Sequence, residues 1–317
     1  MKHVLFEILG LPVTLYALCV VVALSLGLVH LAVNQKKYGL RTDTAEIFAM
    51  LALPLGLVGA RVFYCLCRLP LYMEMGWSSV FRLWEGGYAL WGAVLGTVTA
   101  AVLAGKITRQ PVAKLLDALS APAALVIALS RLAEMTNGEG IGMEVYTPFF
   151  QRFPFALYEA DWEVWFWAIC VLEAAAALAI LVVLLIKTPG KVGEDAKLFC
   201  VLYCSSQILL ESLRRDQFLR WLFVRVSQLT AVLVLGGLMF WALYRWLKTP
   251  GDKRMPAKKL TANWVIFLSC VGICIAMEFA VDKAYFMPVW LCYTVMSVCC
   301  VGFGLTAYQL LMKGIKE

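Results

Sequence analysis

Four polar side chains that could bind an anion and move a proton lie close together where the sequence reads SRLAEMTNGEG. Arg131 and Glu134 are three residues apart, so on a helix they share one face. Asn137 and Gly138 form a turn signal that ends a helix, and Glu139 follows. A guanidinium presents a fork of donors that suits phosphate or carboxylate. The segment therefore predicts an anion site, and the alternative is a solvated helix end with an ordinary ion pair.

A second acid-and-arginine step with the same spacing lies further along the chain. Glu211 and Arg214 are three residues apart and follow an apolar stretch, so they also share a face at a helix end. Ionisable groups at membrane depth are costly and are therefore candidate functional residues. Two arginines that converge from different segments could clamp one phosphodiester, which makes Arg131 and Arg214 the first candidates for such a clamp.

Several shorter segments carry polar or small residues in patterns that are weak when taken one at a time. Gly92 and Gly96 form a G-x-x-x-G pattern, which permits close packing of two membrane helices. The others are Gly59-Ala60-Arg61 inside an apolar stretch, Trp84-Glu85-Gly86-Gly87, residues 154–159 with Tyr158, and Tyr16 in the first apolar stretch.

The elements that must position these residues are membrane helices. The chain has 317 residues, of which 62% are hydrophobic and 15% are charged, whereas a soluble domain carries about a quarter charged residues. Its apolar stretches approach the roughly 20 residues that cross a bilayer. We predict an all-α polytopic membrane helix bundle with nine spans, at residues 13–33, 46–67, 88–105, 113–131, 162–186, 196–212, 226–247, 263–281 and 287–311.

Cysteine and histidine usage gives no sign of a metal site. The eleven cysteines fall mostly inside the predicted spans and are expected to be small buried residues. Two histidines, His3 and His30, are too few for most metal enzymes. We expect no metal, no cofactor and no nucleic-acid partner. The N-terminus lacks the features of a signal peptide, so the first span is expected to remain in the protein.

The distribution of positive charge predicts the orientation in the membrane. Lysines and arginines concentrate in the loops after the first, third, fifth, seventh and ninth spans, and such loops stay inside. The N-terminus is then outside and the C-terminus inside. Thirteen of the fifteen lysines fall on the inner side, yet nine of the thirteen arginines fall on or toward the outer side. Snorkelling explains some of these arginines. Arg131 and Arg214, at helix ends beside acids, predict an anion site that faces the outer leaflet.

Two other classes of membrane protein are alternatives on these observations. A transporter more often shows an internal repeat or broken helices in both halves, and no repeat is visible in this sequence. Its polar groups would also gather at the midplane, whereas here they collect at one face. A purely structural membrane subunit would leave the outer arginines without a role.

Taken together and in order, these segments resemble the bacterial prolipoprotein diacylglyceryl transferase family. The family's E-x-x-R step is similar to Glu211 and Arg214, and a tyrosine in its first span is similar to Tyr16. Its G-x-R, W-[DE]-G-G and P-x-x-L-Y-E patterns match the short segments above. Its R-x-x-x-x-x-N-G-E-x-x-G signature is matched by Arg131, Asn137, Gly138, Glu139 and Gly142.

The resemblance implies an activity and a set of site residues. Such enzymes transfer the diacylglyceryl group of phosphatidylglycerol to the lipobox cysteine in the signal peptide of a prolipoprotein, and they release glycerol phosphate. They lie in the bacterial cytoplasmic membrane. By resemblance Arg131 and Arg214 form the phosphate clamp, and we expect Glu134 or Glu139 to accept the thiol proton. Substrate binding is assigned to Tyr16, Arg61, Glu85, Gly86, Gly87, Asn137, Gly138, Gly142, Tyr158 and Glu211.

The sequence departs from the family pattern at two site positions and beyond its seven spans. Trp91 stands where the family has a histidine implicated in activity, and Glu134 stands where its signature has asparagine. Two further spans suggest a transferase-like core at residues 1–250 and a two-helix extension at 251–317. The alternative function is that of a diverged paralogue that uses a different lipid or acceptor, or of a non-catalytic lipid-binding membrane protein.

Overall fold

The described part of the chain is mainly α-helical. The computed structural model describes residues 4–8, 11–82, 86–187, 190–215, 220–221, 224–251, 253–283 and 287–313. The helices are α1 (Leu15–Asn34), α2 (Thr42–Cys67), α3 (Leu69–Met75), α4 (Leu90–Thr108), α5 (Val112–Glu134), α6 (Ile169–Ile186), α7 (Glu194–Leu213), α8 (Val226–Lys248), α9 (Ala257–Lys283) and α10 (Val289–Lys313). The strands are β1 (Val4–Ile8), β2 (Leu11–Thr14), β3 (Ile141–Glu144), β4 (Ala156–Glu159), β5 (Val164–Ala168), β6 (Arg220–Trp221) and β7 (Val224–Arg225).

Nine of the helices described here, all except the short α3, are long and apolar enough to cross a membrane. Pro54 lies inside α2 and Pro122 inside α5. Membrane helices tolerate such prolines because neighbouring helices and polar side chains satisfy the freed backbone groups. The prediction of an all-α polytopic bundle is therefore confirmed for the described residues, and the protein is a multi-pass membrane protein.

The predicted start of the fifth span is wrong. The apolar run suggested a helix over 162–186, but α6 begins only at Ile169. The preceding residues form β5, the central strand of an antiparallel sheet in the order β3-β5-β4. The physical reason is the run Trp165, Phe166, Trp167, since aromatic side chains favour a pleated and half-buried surface. Apolarity alone does not distinguish this strand from a helix.

The chain divides into two compact units. The first consists of Met1–Ala196 with Arg214–Ser227, and the second of Lys197–Leu213 with Gln228–Glu317. This grouping follows contacts and places much of α7 and α8 with α9 and α10. The predicted division at residue 250, into a transferase-like core and a C-terminal extension, was inferred from family resemblance. It stays a prediction.

Within the first unit, α2 and α4 approach each other through glycines. A Cβ on Gly59 would lie 2.5 Å from the carbonyl oxygen of Gly92 and 3.3 Å from the Cα of Gly96. No larger side chain fits there without moving a helix backbone. The close packing predicted from the G-x-x-x-G pattern is confirmed, and it holds the end of α2 that carries Arg61 against α4.

The first unit also packs α5 against α1 and α6. A buried carboxylate near the start of α5 connects this helix to the segment that begins α7. Asp117, on α5, accepts hydrogen bonds from the backbone N–H groups of Gly193 and Ala196, in the second case at 3.0 Å. These N–H groups belong to the start of α7, where a helix leaves its first donors unsatisfied. A side chain of α5 thus caps the start of α7.

The second unit packs α9 against α10. The rings of Phe267 and Phe303 meet edge to face with their centroids 6.2 Å apart. Gln228 donates from Nε2 to the carbonyl oxygen of Ile208 at 3.2 Å, which links α8 to α7. The interior of this unit is mainly apolar, and it also contains the buried polar residues Gln207 and Glu211.

Candidate functional site

The signature segment leaves α5 through two glycines with left-handed backbone. After α5 comes a 3-10 turn, Met135–Asn137, and Gly138 follows with a φ of +67°. The N–H of Glu139 donates to the carbonyl oxygen of Glu134 at 3.1 Å, and Gly140 has a φ of +71°. Left-handed backbone costs glycine little and most other residues more. The chain can therefore fold back over the end of α5 before it enters β3.

Four charged side chains at this end of α5 form a closed arrangement of ion pairs, which we call the charge ring (Arg131, Glu134, Glu173 and Arg214). Arg131 pairs through Nη1 with Oε1 of Glu134, and its Nε lies 3.4 Å from Oε2 of Glu173. Arg214 places Nη2 3.0 Å from Oε2 of Glu134 and Nη1 2.9 Å from Oε2 of Glu173. All four residues are buried. Two positive and two negative charges cancel, and this pairing permits their burial.

Glu173 is a ring member that the motifs did not reveal. It lies in the first half of α6, the most apolar of the nine spans, and is only 3% exposed. The available signal was its charge, because an acid inside an apolar span is expensive unless it is paired. Its two partners are distant in sequence, because Arg131 lies in α5 and Arg214 is the residue that follows α7.

Arg214 is the first residue after α7, and backbone contacts hold its neighbourhood. Arg225 donates from Nη2 to the carbonyl oxygen of Arg214 at 2.6 Å. The N–H of Arg215 donates to the carbonyl oxygen of Ile141 at 2.9 Å, which ties this segment to the start of β3. These contacts bring the second predicted clamp residue to the end of α5, as the two-arginine hypothesis requires.

The signature loop is tied to α6 at Gly140. The N–H of Cys170 donates to the carbonyl oxygen of Gly140 at 2.8 Å. A Cβ on residue 140 would lie 2.6 Å from the Cβ of Cys170 and 2.9 Å from Oε2 of Glu134. The position therefore requires glycine for its backbone conformation and for its distance from the charge ring.

Three predicted polar residues lie around the ring. Tyr16, at the start of α1, is electrostatically coupled to Glu139 and to three members of the charge ring. The Oδ1 atom of Asn137 is buried, and among the residues described no donor forms a hydrogen bond to it. An acceptor buried without a donor is costly. Asn137 is therefore ready to accept a hydrogen bond from a ligand hydroxyl.

Arg61 is directed at a neighbouring loop. Its buried guanidinium donates to the carbonyl oxygens of Ser79, Val80, Arg82, Gly86 and Gly87. A Cβ on Gly87 would lie 2.8 Å from Nη1 of Arg61, so the loop and the guanidinium fit tightly. The structure thus brings Arg61 together with Gly86 and Gly87, and shows Arg61 holding that loop. The predicted site residue Glu85 and its neighbour Trp84 lie outside the described residues.

Two aromatic residues follow this loop into α4. Burial raises the pKa of the Tyr88 phenol, and the positive charge of Arg61 opposes that shift. Tyr88 therefore stays a neutral donor at physiological pH. Trp91 lies in the first turn of α4 and is buried. An indole N–H can donate a hydrogen bond but cannot accept a proton, so Trp91 cannot replace a histidine base.

The β3-β5-β4 sheet carries two further predicted residues. Tyr158 is 52% exposed, and its ring packs on that of Trp165 at a centroid distance of 5.3 Å. Glu159 extends from the opposite face of β4 toward Gly138, where Oε2 would lie 3.5 Å from a Cβ. Gly142 packs against Trp167 and Ile169. Of the two neighbours in β4, it is Glu159 that reaches the signature loop.

Glu211 belongs to the second compact unit. It is buried in α7, where Oε2 accepts a hydrogen bond from Nε2 of Gln207 at 3.1 Å. Its spacing from Arg214 is helical, but its role in substrate binding stays a prediction.

The charge ring has the chemistry of an anion site that is closed by its own acids. Glu134 lies between the two guanidiniums, with one oxygen toward each. A phosphodiester also presents two oxygens that accept from guanidinium forks. Across the described ranges, no group of three or more His, Cys, Asp or Glu side chains could hold a metal ion.

Comparison with known proteins agrees with this chemistry. The phosphatidylglycerol–prolipoprotein diacylglyceryl transferase of Streptococcus suis is 31% identical over 255 residues, which cover 74% of this chain and 89% of that protein. The enzyme of the same name from Oceanobacillus iheyensis is 25% identical over 269 residues, which cover 78% and 89%. That of Clostridioides difficile is 24% identical over 247 residues, which cover 75% and 94%. Since the family model described as prolipoprotein diacylglyceryl transferase also matches residues 3–244, this chain belongs to the prolipoprotein diacylglyceryl transferase family.

Proposed function

We propose that this protein transfers the diacylglyceryl group of phosphatidylglycerol to the thiol of a lipobox cysteine in a prolipoprotein signal peptide, and releases glycerol phosphate. Family membership supports the reaction class and a role in lipoprotein maturation. The observation that carries the proposal is the charge ring, where two buried arginines from different segments share two carboxylates.

The phosphate of the lipid would occupy the position between Arg131 and Arg214. Glu134 now bridges their guanidiniums with one oxygen toward each, and a phosphodiester offers the same pair of contacts. Glu173 would remain beneath them, because its Oε2 contacts both arginines from inside the bundle. The arginines are thus held in place before the lipid arrives, which lowers the cost of organising the site.

The glycerol headgroup would contact the signature loop. Asn137 presents a buried acceptor oxygen to which no described donor is bonded, and a glycerol hydroxyl is a donor of the right kind. Tyr16 supplies a phenol at the same ring. Gly138 and Gly140 carry no side chain, so a ligand can approach the loop backbone closely.

The transfer balances with groups that the site contains. The sulfur forms a bond to the terminal glyceryl carbon, and the bond between that carbon and the phosphate oxygen breaks. The thiol gives its proton to Glu139, the acid of the signature loop that is not a member of the charge ring and that is electrostatically coupled to Tyr16. The leaving glycerol phosphate carries one more negative charge than the diester. Arg131 and Arg214 stabilise that added charge in a site with little water.

We also propose a location and an orientation for the protein. We place it in the bacterial cytoplasmic membrane, with the N-terminus outside, the C-terminus inside and the charge ring toward the outer leaflet. The supporting observations are nine membrane-length helices among the described residues, bacterial relatives, and lysines concentrated in alternate loops.

Reconstitution with phosphatidylglycerol and a synthetic lipobox peptide tests the transfer. We expect the peptide to gain the mass of one diacylglyceryl group and an equal amount of glycerol phosphate to appear. Arg131→Gln and Arg214→Gln each remove one arm of the clamp and should lower the rate roughly a hundredfold or more. Arg152→Gln is the matched control, because Arg152 is exposed and packs on the ring of Phe149.

Two results would contradict the proposal. One is a wild-type protein that binds phosphatidylglycerol but never modifies the peptide. The other is unchanged product formation in both Arg131→Gln and Arg214→Gln.

Trp91 favours one second candidate, a diverged paralogue or non-catalytic lipid-binding protein. The residue at the position of the family histidine cannot accept a proton. This candidate predicts phosphatidylglycerol binding that depends on Arg131, without peptide product in the same assay.

A further inference from the structure

We propose that an anionic lipid headgroup enters the charge ring by displacing the Glu134 carboxylate, and that this exchange takes up one proton. The inference rests on the proposed function for the identity of the headgroup. It concerns binding alone, so it can be tested without an acceptor peptide.

Displacement is required because the ring is closed. Arg131 directs Nη1 at Glu134, and Arg214 directs Nη2 at the other oxygen of the same carboxylate. A phosphodiester that reaches both guanidiniums must take over these contacts. The Glu134 carboxylate therefore occupies the position that the phosphodiester would take.

Glu134 is the acid that can leave. It is the last residue of α5, and the loop above it has no side chain at Gly140, where a Cβ would lie 2.9 Å from Oε2 of Glu134. Glu173 is the deeper acid, 3% exposed against 9% for Glu134, and it projects from within α6. A ligand that arrives from the loop side meets Glu134 first.

Charge balance couples the exchange to a proton. The ring itself contains two guanidiniums and two carboxylates, whose charges sum to zero. A phosphodiester adds one negative charge to this buried group, and an uncompensated buried charge costs several kcal/mol, roughly 3–5 when a partner is missing. A proton on the displaced Glu134 restores the balance.

Other charged and titratable groups face Glu134 from each neighbouring element, and they leave this balance unchanged. Arg225 adds one positive charge behind Arg214, and Glu139 adds one negative charge in the signature loop. Among the described residues these groups include Tyr16 from α1, Arg131 from α5, Glu139 from the loop, Cys170 and Glu173 from α6, and Arg214 and Arg225 from the segment after α7.

The sign of the pH dependence follows directly. Glu134 is charged in the empty ring and neutral in the occupied ring, so the complex holds one proton more than the free protein. Affinity for the anionic headgroup then falls as pH rises, by up to tenfold per pH unit.

Calorimetry on the full chain in detergent measures the proton directly. Short-chain phosphatidylglycerol is titrated at one pH in two buffers that differ in their enthalpy of ionisation, and the difference gives the protons taken up per ligand. We expect about one proton for the wild type and about none for Glu134→Gln, whose ring needs no proton to accept an anion. Glu144→Gln changes an exposed acid outside the ring and should behave as the wild type. Zwitterionic phosphatidylcholine of the same chain length brings no net charge and should cause no uptake.

The outcomes separate this inference from the proposed transfer. Tight binding of phosphatidylglycerol by the wild type without proton uptake overturns the inference, and peptide product in the transfer assay would then still support the enzyme. Uptake of one proton without peptide product supports the inference and overturns the transfer. Uptake that persists in Glu134→Gln shows that another group takes the proton, and also overturns the inference. The comparison of phosphatidylglycerol with phosphatidylcholine uses the wild type alone, so it does not depend on whether a variant folds.

Discussion

Replacing Glu173 by Gln should reveal how far the charge ring depends on its deepest member. Oε2 of Glu173 lies 2.9 Å from Nη1 of Arg214 and 3.4 Å from Nε of Arg131. Glu173→Gln leaves the two arginines with a single carboxylate, so the buried ring carries one excess positive charge. Removing one partner of a buried pair costs about 3–5 kcal/mol. The amide oxygen keeps one hydrogen bond, so we expect a cost of about 3 kcal/mol, at the lower end of this range.

Thermal unfolding in detergent is the assay, with and without short-chain phosphatidylglycerol. With about 2.1 cal/mol/K of unfolding entropy for each of the 317 residues, a loss of about 3 kcal/mol corresponds to a fall in the unfolding midpoint of roughly 4–5 °C. The excess positive charge should also make the variant respond more to the anionic lipid, because the lipid restores neutrality. Glu144→Gln, an exposed acid changed in the same way, should shift the midpoint little.

Two results for Glu173→Gln would contradict these expectations, and they can be told apart. If Glu173→Gln unfolds at the wild-type temperature, the ion pairs of the ring contribute nothing to stability. If it unfolds earlier but gains no more from phosphatidylglycerol than the wild type does, the charge-balance argument is wrong although the packing role stands.

Three other changes test the surroundings of the ring. Gly140→Ala places an alanine in left-handed backbone and brings its Cβ against Cys170. It should lower the free energy of unfolding by about 1–3 kcal/mol and should also lower the transfer rate. Gly236→Ala is the control and should change neither quantity, because the space around its Cβ is open. Arg61→Lys keeps the positive charge but loses the guanidinium that donates to five carbonyl oxygens. Limited proteolysis should therefore cut the loop after α3 faster in this variant. An unchanged cutting rate would refute the role of Arg61 in holding the loop. Asp117→Ala removes the acceptor for two N–H groups at the start of α7 and should cost about 1–3 kcal/mol, measured as a lower unfolding midpoint with transfer retained below it.

Local spacing was enough to predict part of the site. Arg131 and Glu134 lie at helical spacing and do form an ion pair. Asn137-Gly138 does end the helix, with Gly138 in the left-handed region. These features depend on residues close together in sequence, so one chain contains the information.

Long-range contacts could not be predicted in the same way. Glu173 belongs to none of the motifs, and its partners are Arg131 in α5 and Arg214, which follows α7. Arg61 resembles a ligand-binding arginine in sequence, but its donors are used by backbone carbonyl oxygens of a distant loop. The start of α6 was misjudged because an apolar aromatic run suits a strand as well as a helix. In each case tertiary pairing decides between local alternatives of similar energy.

The most direct test of the central claim is a structure of the full protein with a phosphonate analogue of phosphatidylglycerol, in which the bond that would break is a carbon–carbon bond. We expect the phosphorus atom to lie between the guanidiniums of Arg131 and Arg214, with the Glu134 carboxylate turned away and Glu173 still in contact with both arginines. A phosphonate bound elsewhere, with Glu134 still bridging the two arginines, would contradict it.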